Sequence, residues 1–508
     1  MEVYGTIFSL LPPIIAIGLA LITKEVYSSL FAGALVGALL YSGFNIVGAI
    51  EHIFVTGMVG TYGEVETVSG VLTDPYNMGI LVFLVLLGVM GTLMNRAGGS
   101  AAFARWASTH VKSRAGAQLA TIALGCLIFV DDYFNCLTVG SVMRPVTDAQ
   151  GISRAKLAYC IDATAAPICI IAPISSWAAA VSGFVEGTNG LTLFVRSIPY
   201  NFYAILTIVM LVVLSVSRLD YGPMRRADEQ GLGALADEMA ASHTVNEKGR
   251  VMHLVVPVIA LIVSCVVGMV YTGGFFDGVD FITAFSNCDA SVGLMLGSFV
   301  AVVFTVVFYL VTRVLSFRDC MSSLPDGFKT MVPAILILAL AWTLKSVTDS
   351  LGASEYVAAL VDSAAHGEAL MSFLPAIVFL VGVGLSFATG TSWGTFGILI
   401  PIVVDVFNAS MSNELMIISI SACLAGAVCG DHCSPISDTT IMASAGAQCD
   451  HVMHVSTQLP YAMTVAGVSL VCYIIAGFVQ SAWVMLPLGI VLMIGTLLVI
   501  RNTTANRA

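Results

Sequence analysis

Two aspartates stand close together in C-G-D-H-C-S-P-I-S-D-T-T, residues 429–440, as Asp431 and Asp438. Ser434, Ser437 and Thr439 add hydroxyls to the same stretch, Gly430 and Pro435 interrupt it, and apolar runs long enough to cross a bilayer flank it on both sides. Carboxylates and irregular backbone persist at bilayer depth only when buried in protein or lining a wet cavity. A helix broken there presents free carbonyls and partial charges, which suits a small cation or a proton. Zinc fits poorly at Cys429, Asp431, His432 and Cys433, because four tetrahedral ligands would crowd into five residues. An intramembrane aspartyl protease would need two facing aspartates, whereas acids here are numerous and symmetrically placed, so the chain reads as a non-enzyme.

Three further polar stations interrupt apolar sequence. F-V-D-D-Y-F-N-C-L-T, residues 129–138, holds Asp131, Asp132, Asn135 and Thr138. Each carboxylate would cost ~2.5–3.5 kcal/mol on insertion scales if it faced lipid. The chemical reading is a cation or proton site with neutral oxygens beside it; the plain alternative is one helix cap and one salt bridge. C-I-D-A-T-A-A-P places Asp162 ahead of Pro167, Pro173 and Ser175, where missing backbone bonds free carbonyls. Asp162 sits near one end of its span, where a structural role competes. A-T-G-T-S-W-G-T, residues 388–395, carries no charge but offers Thr389, Thr391, Ser392 and Thr395. These hydroxyls suit a small cation or hydrogen bonds to an organic solute, or simply cap a turn. Asp450, His451 and His454 read as loop residues at a cytoplasmic rim.

The elements that must position these stations follow from composition. Of 508 residues, 58% are hydrophobic and 10% charged, against roughly 25% charged in a soluble domain. This is an all-α polytopic membrane protein. No basic patch exists for nucleic acid, and most of the twelve cysteines lie in apolar runs as small hydrophobes. A span needs ~20 apolar residues. Spans are expected near 5–23, 27–50, 77–95, 157–185, 198–217, 252–272, 292–312, 331–348, 415–445, 460–480 and 482–500. The first lacks the basic start and cleavage site of a signal peptide.

Stretches 116–148 and 371–408 are each broken in the middle. Lysine and arginine mark the cytoplasmic side. Bases flank 116–148 at both ends, so it enters from and returns to the cytoplasm; none flanks 371–408, which follows an acidic segment and opens outward. Arg196 and Lys345 break the pattern and read as snorkelling side chains. Two inverted halves result, 1–217 and 252–480, joined by a cytoplasmic linker, 218–251, and followed by an extra span and tail, 481–508. Hairpin 116–148 and broken helix 157–185 correspond to hairpin 371–408 and broken helix 415–445. Pro173-Ile174-Ser175 matches Pro435-Ile436-Ser437. Inverted repeats with broken helices are the frame of secondary transporters. The N-terminus is expected outside and the C-terminus in the cytoplasm.

The motifs F-V-D-D-Y-F-N-C-L-T-V-G-S-V-M-R-P-V-T-D, A-P-I-S-S-W, G-T-S-W-G-T-F, G-D-H-C-S-P-I-S-D-T-T and H-V-S-T-Q-L-P-Y together resemble the NhaC family of sodium/proton antiporters, within the wider ion transporter superfamily. That resemblance implies a scaffold domain and a mobile transport domain, an elevator movement, a homodimer and an inner-membrane location. It implies sodium and proton as coupling ions and no cofactor. Members of the family also exchange organic acids or amino acids; Trp177, Trp393, Tyr133 and Trp342 are the candidates to line a larger pocket, and apolar packing is the other reading of each.

The expected activity is sodium/proton exchange by competition for carboxylates at mid-membrane. Asp131, Asp132, Asn135, Asp431 and Asp438 are the leading sodium candidates, with Thr138, Asp162, Ser175, Thr389, Thr391, Ser392, Thr395, Ser434, Ser437 and Thr439 as further oxygens. An ion-coupled carrier of an organic acid or amino acid is the alternative.

Overall fold

The computed structural model describes residues 3–505 apart from 24, 63–66, 112, 130–131, 174, 176, 179–180, 182–189, 230–247, 354, 357–358, 360–367 and 408–412. Asp131, Ser176, Lys24, Lys112 and most of the linker therefore lie outside the described residues. Helices dominate: α1 (Leu11–Thr23), α2 (Val26–Tyr41), α3 (Ile46–Glu51), α4 (Pro75–Arg96), α5 (Gly99–His110), α6 (Arg114–Leu127), α7 (Asp132–Ala149), α8 (Arg154–Asp162), α9 (Ala166–Cys169), α10 (Gly190–Ser197) and α11 (Phe202–Ser217) come first. After the linker come α12 (Met252–Thr272), α13 (Phe281–Ser286), α14 (Ala290–Val311), α15 (Phe317–Ser350), α16 (Leu374–Thr389), α17 (Ser392–Val406), α18 (Glu414–Cys433), α19 (Asp438–Ala447), α20 (His451–Val479) and α21 (Ala482–Ala505). A two-stranded antiparallel ribbon pairs Gly60–Tyr62 with Thr67–Ser69.

Among the described residues, seven helices are long and apolar enough to cross a membrane, or nine if each of two bent pairs forms one span. This is a multi-pass membrane protein. Polar side chains set the helix ends. Asp74 caps α4 ahead of Pro75, Ser316 and Asp319 form a capping box on α15, and Asn413, Ser437 and Asp450 cap α18, α19 and α20. Each satisfies backbone N–H groups that a first turn leaves without partners.

Some expected spans shift. The span expected over 27–50 stops at Tyr41, because Gly43 and Phe44 take left-handed backbone angles and Asn45 starts a new helix. The span expected over 331–348 begins at Phe317 and bends by 44° between Val332 and Ala334. The one expected over 460–480 starts at His451. Arg196 does not simply reach for an interface: it pairs with Glu414 at 2.7 Å, which also accepts from the Tyr200 hydroxyl at 2.7 Å. The linker begins with a helical segment, 222–229. Its Asp228 pairs with Arg114, and Asp220 pairs with Lys156.

The interior divides into two apolar cores. One gathers α11, α16, α17, α18, α20 and α21 with Trp177. The other gathers α2, α4, α7, α12, α14, α15 and α19. Helix α18 is buried on every side from Leu415 to Cys433, as expected of a helix enclosed by its neighbours. Residues Ser434–Ser437 connect α18, in the first core, to α19, in the second. The α7–α19 crossing is backbone on backbone: a Cβ on Gly140 would fall 2.4 Å from the Gly446 carbonyl carbon.

Candidate ion-binding site

Pro435, which has no N–H, lies between α18 and α19, and both helices end in the interior; Gly430, expected to break the helix, stays inside α18, where a Cβ would fall 2.3 Å from the Val383 carbonyl oxygen. Asp431, in the last turn of α18, is 4% exposed. Its Oδ2 accepts the Ser392 hydroxyl at 2.7 Å, and its Oδ1 is buried with no hydrogen-bond partner among the described residues. Ser392 opens α17, directly after the left-handed Gly390 that ends α16. The hairpin 374–406 thus delivers its tip to the break.

Asp438 starts α19 and is half-buried. Its Oδ2 accepts from the Tyr133 hydroxyl and from the Trp342 indole N–H, each at 3.1 Å. It faces a cavity of about 720 Å³ whose wall includes Tyr76, Trp342, Lys345, Asp349, Thr391 and Trp393. Lys345 therefore lines a cavity near the break. A second cavity of about 560 Å³, lined by Glu25, Ala334, Ser444, Gln448 and His451, approaches the other end of α19. Ser437 caps α19, and its hydroxyl lies 3.0 Å from that of Thr439. The Ser434 hydroxyl donates to the Phe387 carbonyl at 2.8 Å.

The other hairpin, α6–α7, brings Asp132 and Asn135 into the interior at the start of α7. Asp132 is 2% exposed and accepts from the Trp177 indole N–H at 3.2 Å. The Asn135 amide donates to the carbonyls of Gly125, Ile128 and Thr164 at 2.7, 2.8 and 3.0 Å, and so binds the unwound ends of α6 and α8 together. Its Oδ1 and the Thr138 hydroxyl, one turn further on the same face, are buried without hydrogen-bond partners among the described residues. The expectation for Asp131 lies outside the described residues.

Three expected oxygens are turned elsewhere. Ser175 donates to Cys169 and Ala172 carbonyls and accepts from Ala178 N–H. Thr389 and Thr395 donate to carbonyls of their own hairpin, Leu385 and Thr391. Short hydroxyls in helices often close on the preceding turn. Thr391 accepts from the Gly394 N–H at 3.3 Å as a cap and also reaches the cavity wall.

The histidines correct the reading of a cytoplasmic rim. His454 is fully buried in α20, and its Nε2 lies 3.2 Å from Asp162 Oδ2. The same oxygen accepts from Thr440 at 3.0 Å and Gln458 at 2.9 Å, and His432 Nε2 stands 4.0 Å away. His451 is buried too, between the Ser444 hydroxyl at 3.0 Å and the Pro435 carbonyl at 2.7 Å. Asp162 is thus the hub of an interior cluster. His432, His454, Gln458 and Thr440 were missed because their partner lies more than 250 residues away in sequence; the only local signal was the count of polar residues in an apolar helix.

Buried carboxylates at the unwound ends of paired helices, between two cores and two cavities, are the arrangement of a secondary transporter. The profile that defines the Na+/H+ antiporter family matches residues 178–478, and the chain belongs to that family. It is 38% identical over 493 residues to an uncharacterised protein of Haemophilus influenzae, covering 94% of this chain and 92% of that one. It is 26% identical over 166 residues to the malate-2H(+)/Na(+)-lactate antiporter of Bacillus subtilis, 33% of this chain and 34% of that one. Among solved structures it is similar to MtrF of Neisseria gonorrhoeae, described as one of a class of antimetabolite efflux pumps, with 13% identity, a TM-score of 0.36 and 88% and 95% of the chains covered. The YdaH transporter of Alcanivorax borkumensis gives 12%, 0.30, 87% and 98%.

Proposed function

We propose that this protein exchanges sodium for protons across the inner membrane by alternating access. The observation that carries the reading is the pair Asp431 and Asp438 at the two ends of one helix break, the first sealed in the interior and the second open to a cavity. Family membership supports it. Sodium and proton would compete for these carboxylates. Either loaded form is close to neutral and crosses a low-dielectric barrier; the empty, charged site does not. That difference makes exchange obligatory. Asp431 Oδ1, Asn135 Oδ1 and the Thr138 hydroxyl, all buried without partners among the described residues, are the candidate oxygens for sodium, and Asp132 opens the helix that carries Asn135 and Thr138.

The flanking charges support two inverted halves, hairpins opening to opposite sides, an external N-terminus and a cytoplasmic C-terminus. The two apolar cores suit a scaffold and a transport domain working as an elevator in a homodimer. A proteoliposome assay with a trapped pH dye tests the exchange. A sodium pulse should move protons with no organic solute present, and Asp431→Asn and Asp438→Asn should abolish the response. Wild-type exchange in both variants would remove the site.

A second reading is favoured by one observation. The cavity at Asp438 is larger than a cation needs and combines Lys345 with Trp342 and Trp393, which suits an organic acid or amino acid. Proton movement that begins only when such a solute is added would select it.

A further inference from the structure

We infer that Asp162 and His454 form a second, buried proton-holding site, separate from Asp431 and Asp438. Asp162 comes from α8, and the groups around it come from the ends of α18 and α19 and from α20. Its Oδ2 accepts three donors, Thr440, Gln458 and His454, in a setting where the carboxylate is 1% exposed. A carboxylate withdrawn from water needs a compensating charge or a proton. No lysine or arginine forms an ion pair with Asp162 among the described residues; Lys156, on the same helix, is committed to Asp220. The compensating proton is therefore held by Asp162 or by a histidine.

His454 has the geometry for it. Nε2 faces Asp162, so in the neutral ring Nδ1 is a bare acceptor. That Nδ1 is buried and has no hydrogen-bond partner among the described residues. Uptake of one proton makes a carboxylate–imidazolium pair, or a carboxylic acid against a neutral ring. The surrounding titratable groups are Asp431 and His432 on α18, His451 on α20, Tyr159 on α8 and Tyr203 on α11. His432 Nδ1 is engaged by the Tyr203 hydroxyl at 2.8 Å. His451 lines the 560 Å³ cavity one turn before His454. Gln458 also donates to the His432 carbonyl at 2.7 Å, in the last turn of α18. The protonation state of the cluster is in this way linked to both half-helices that carry Asp431 and Asp438.

Acid-minus-alkaline infrared difference spectra of the purified full-length protein, in sodium-free detergent, read the site directly. Wild type should show carboxylic acid or imidazolium bands that both Asp162→Asn and His454→Gln remove and that Asp162→Glu restores. Spectra unchanged in both variants overturn the inference. The use of this proton in transport rests on the exchange reading. His454→Gln should keep sodium-induced thermal stabilisation, which also reports folding, yet lose exchange in proteoliposomes by about a hundredfold, the scale of a lost proton-transfer group. Unchanged exchange, or loss of sodium stabilisation as complete as in Asp431→Asn, overturns the separate role. Absence of sodium stabilisation in wild type would instead remove the exchange reading, and the infrared bands would still decide the proton site.

Discussion

Ser392 donates a hydrogen bond to Asp431 at 2.7 Å, across 39 positions of sequence, and so ties a hairpin tip to the last turn of a fully buried helix. The contact holds one carboxylate oxygen and leaves the other free to meet a ligand. Removing it takes a donor from a buried charged acceptor, a loss of about 1–3 kcal/mol. Ser392→Ala should therefore raise the sodium concentration for half-maximal exchange by roughly tenfold with little change in thermal stability. An unchanged sodium dependence would make the contact purely structural.

Asp438 takes its donors from two other elements, Tyr133 and Trp342. Asp438→Asn should insert normally and show no exchange. Tyr133→Phe and Trp342→Phe should each weaken sodium dependence, and because both act on one oxygen their combined effect should differ from the sum by about 0.5–3 kcal/mol. Strict additivity, measured in a double-mutant cycle, would argue that the two donors act independently.

Asn135 and Thr138 share a helix face but have different work. Asn135→Leu removes the two N–H donors that three buried carbonyls share, at a cost of about 1–3 kcal/mol per lost donor, and should lower the melting temperature sharply. Thr138→Val keeps the shape, removes an oxygen that has no protein partner, and should leave melting unchanged while sodium stabilisation falls. Equal melting losses in both would show that Thr138 is only packing.

Gly446 lies where a Cβ would approach the Cys136 carbonyl oxygen to 2.5 Å, whereas nothing lies within 4 Å of a Cβ on Gly467. Gly446→Ala should separate α7 from α19 and abolish folding or exchange; Gly467→Ala should behave as wild type in size-exclusion profile and transport.

Local chemistry made much of this molecule readable in advance. Met252–Thr272 coincides with a predicted span because its apolar run ends abruptly in Gly273 and Gly274. The breaks after Leu127, at Gly390 and at Pro435 announced themselves through polar residues in apolar sequence. Hydropathy could not reveal the first half of α15, where Arg318, Asp319, Asp326 and Lys329 are offset by capping and by the Arg96–Asp326 pair. Nor could it show which way a hydroxyl turns: Ser392 reaches Asp431, while Thr395, three residues on, closes on its own helix. The role of Asp162 stayed hidden for the same reason, since its three donors lie 278 to 296 residues away.

Helix α19 has ten residues and is therefore only roughly 15 Å long, half the ~30 Å of a bilayer's hydrocarbon. Cavities of about 720 and 560 Å³ come up to its two ends. Were water in them to carry the potentials of opposite bathing solutions inward, the membrane voltage would fall across this one short helix. A charge displaced along α19 alone would then sense nearly the whole field, about 2.3 kcal/mol per 100 mV, without the protein having to carry it through the full thickness of the membrane.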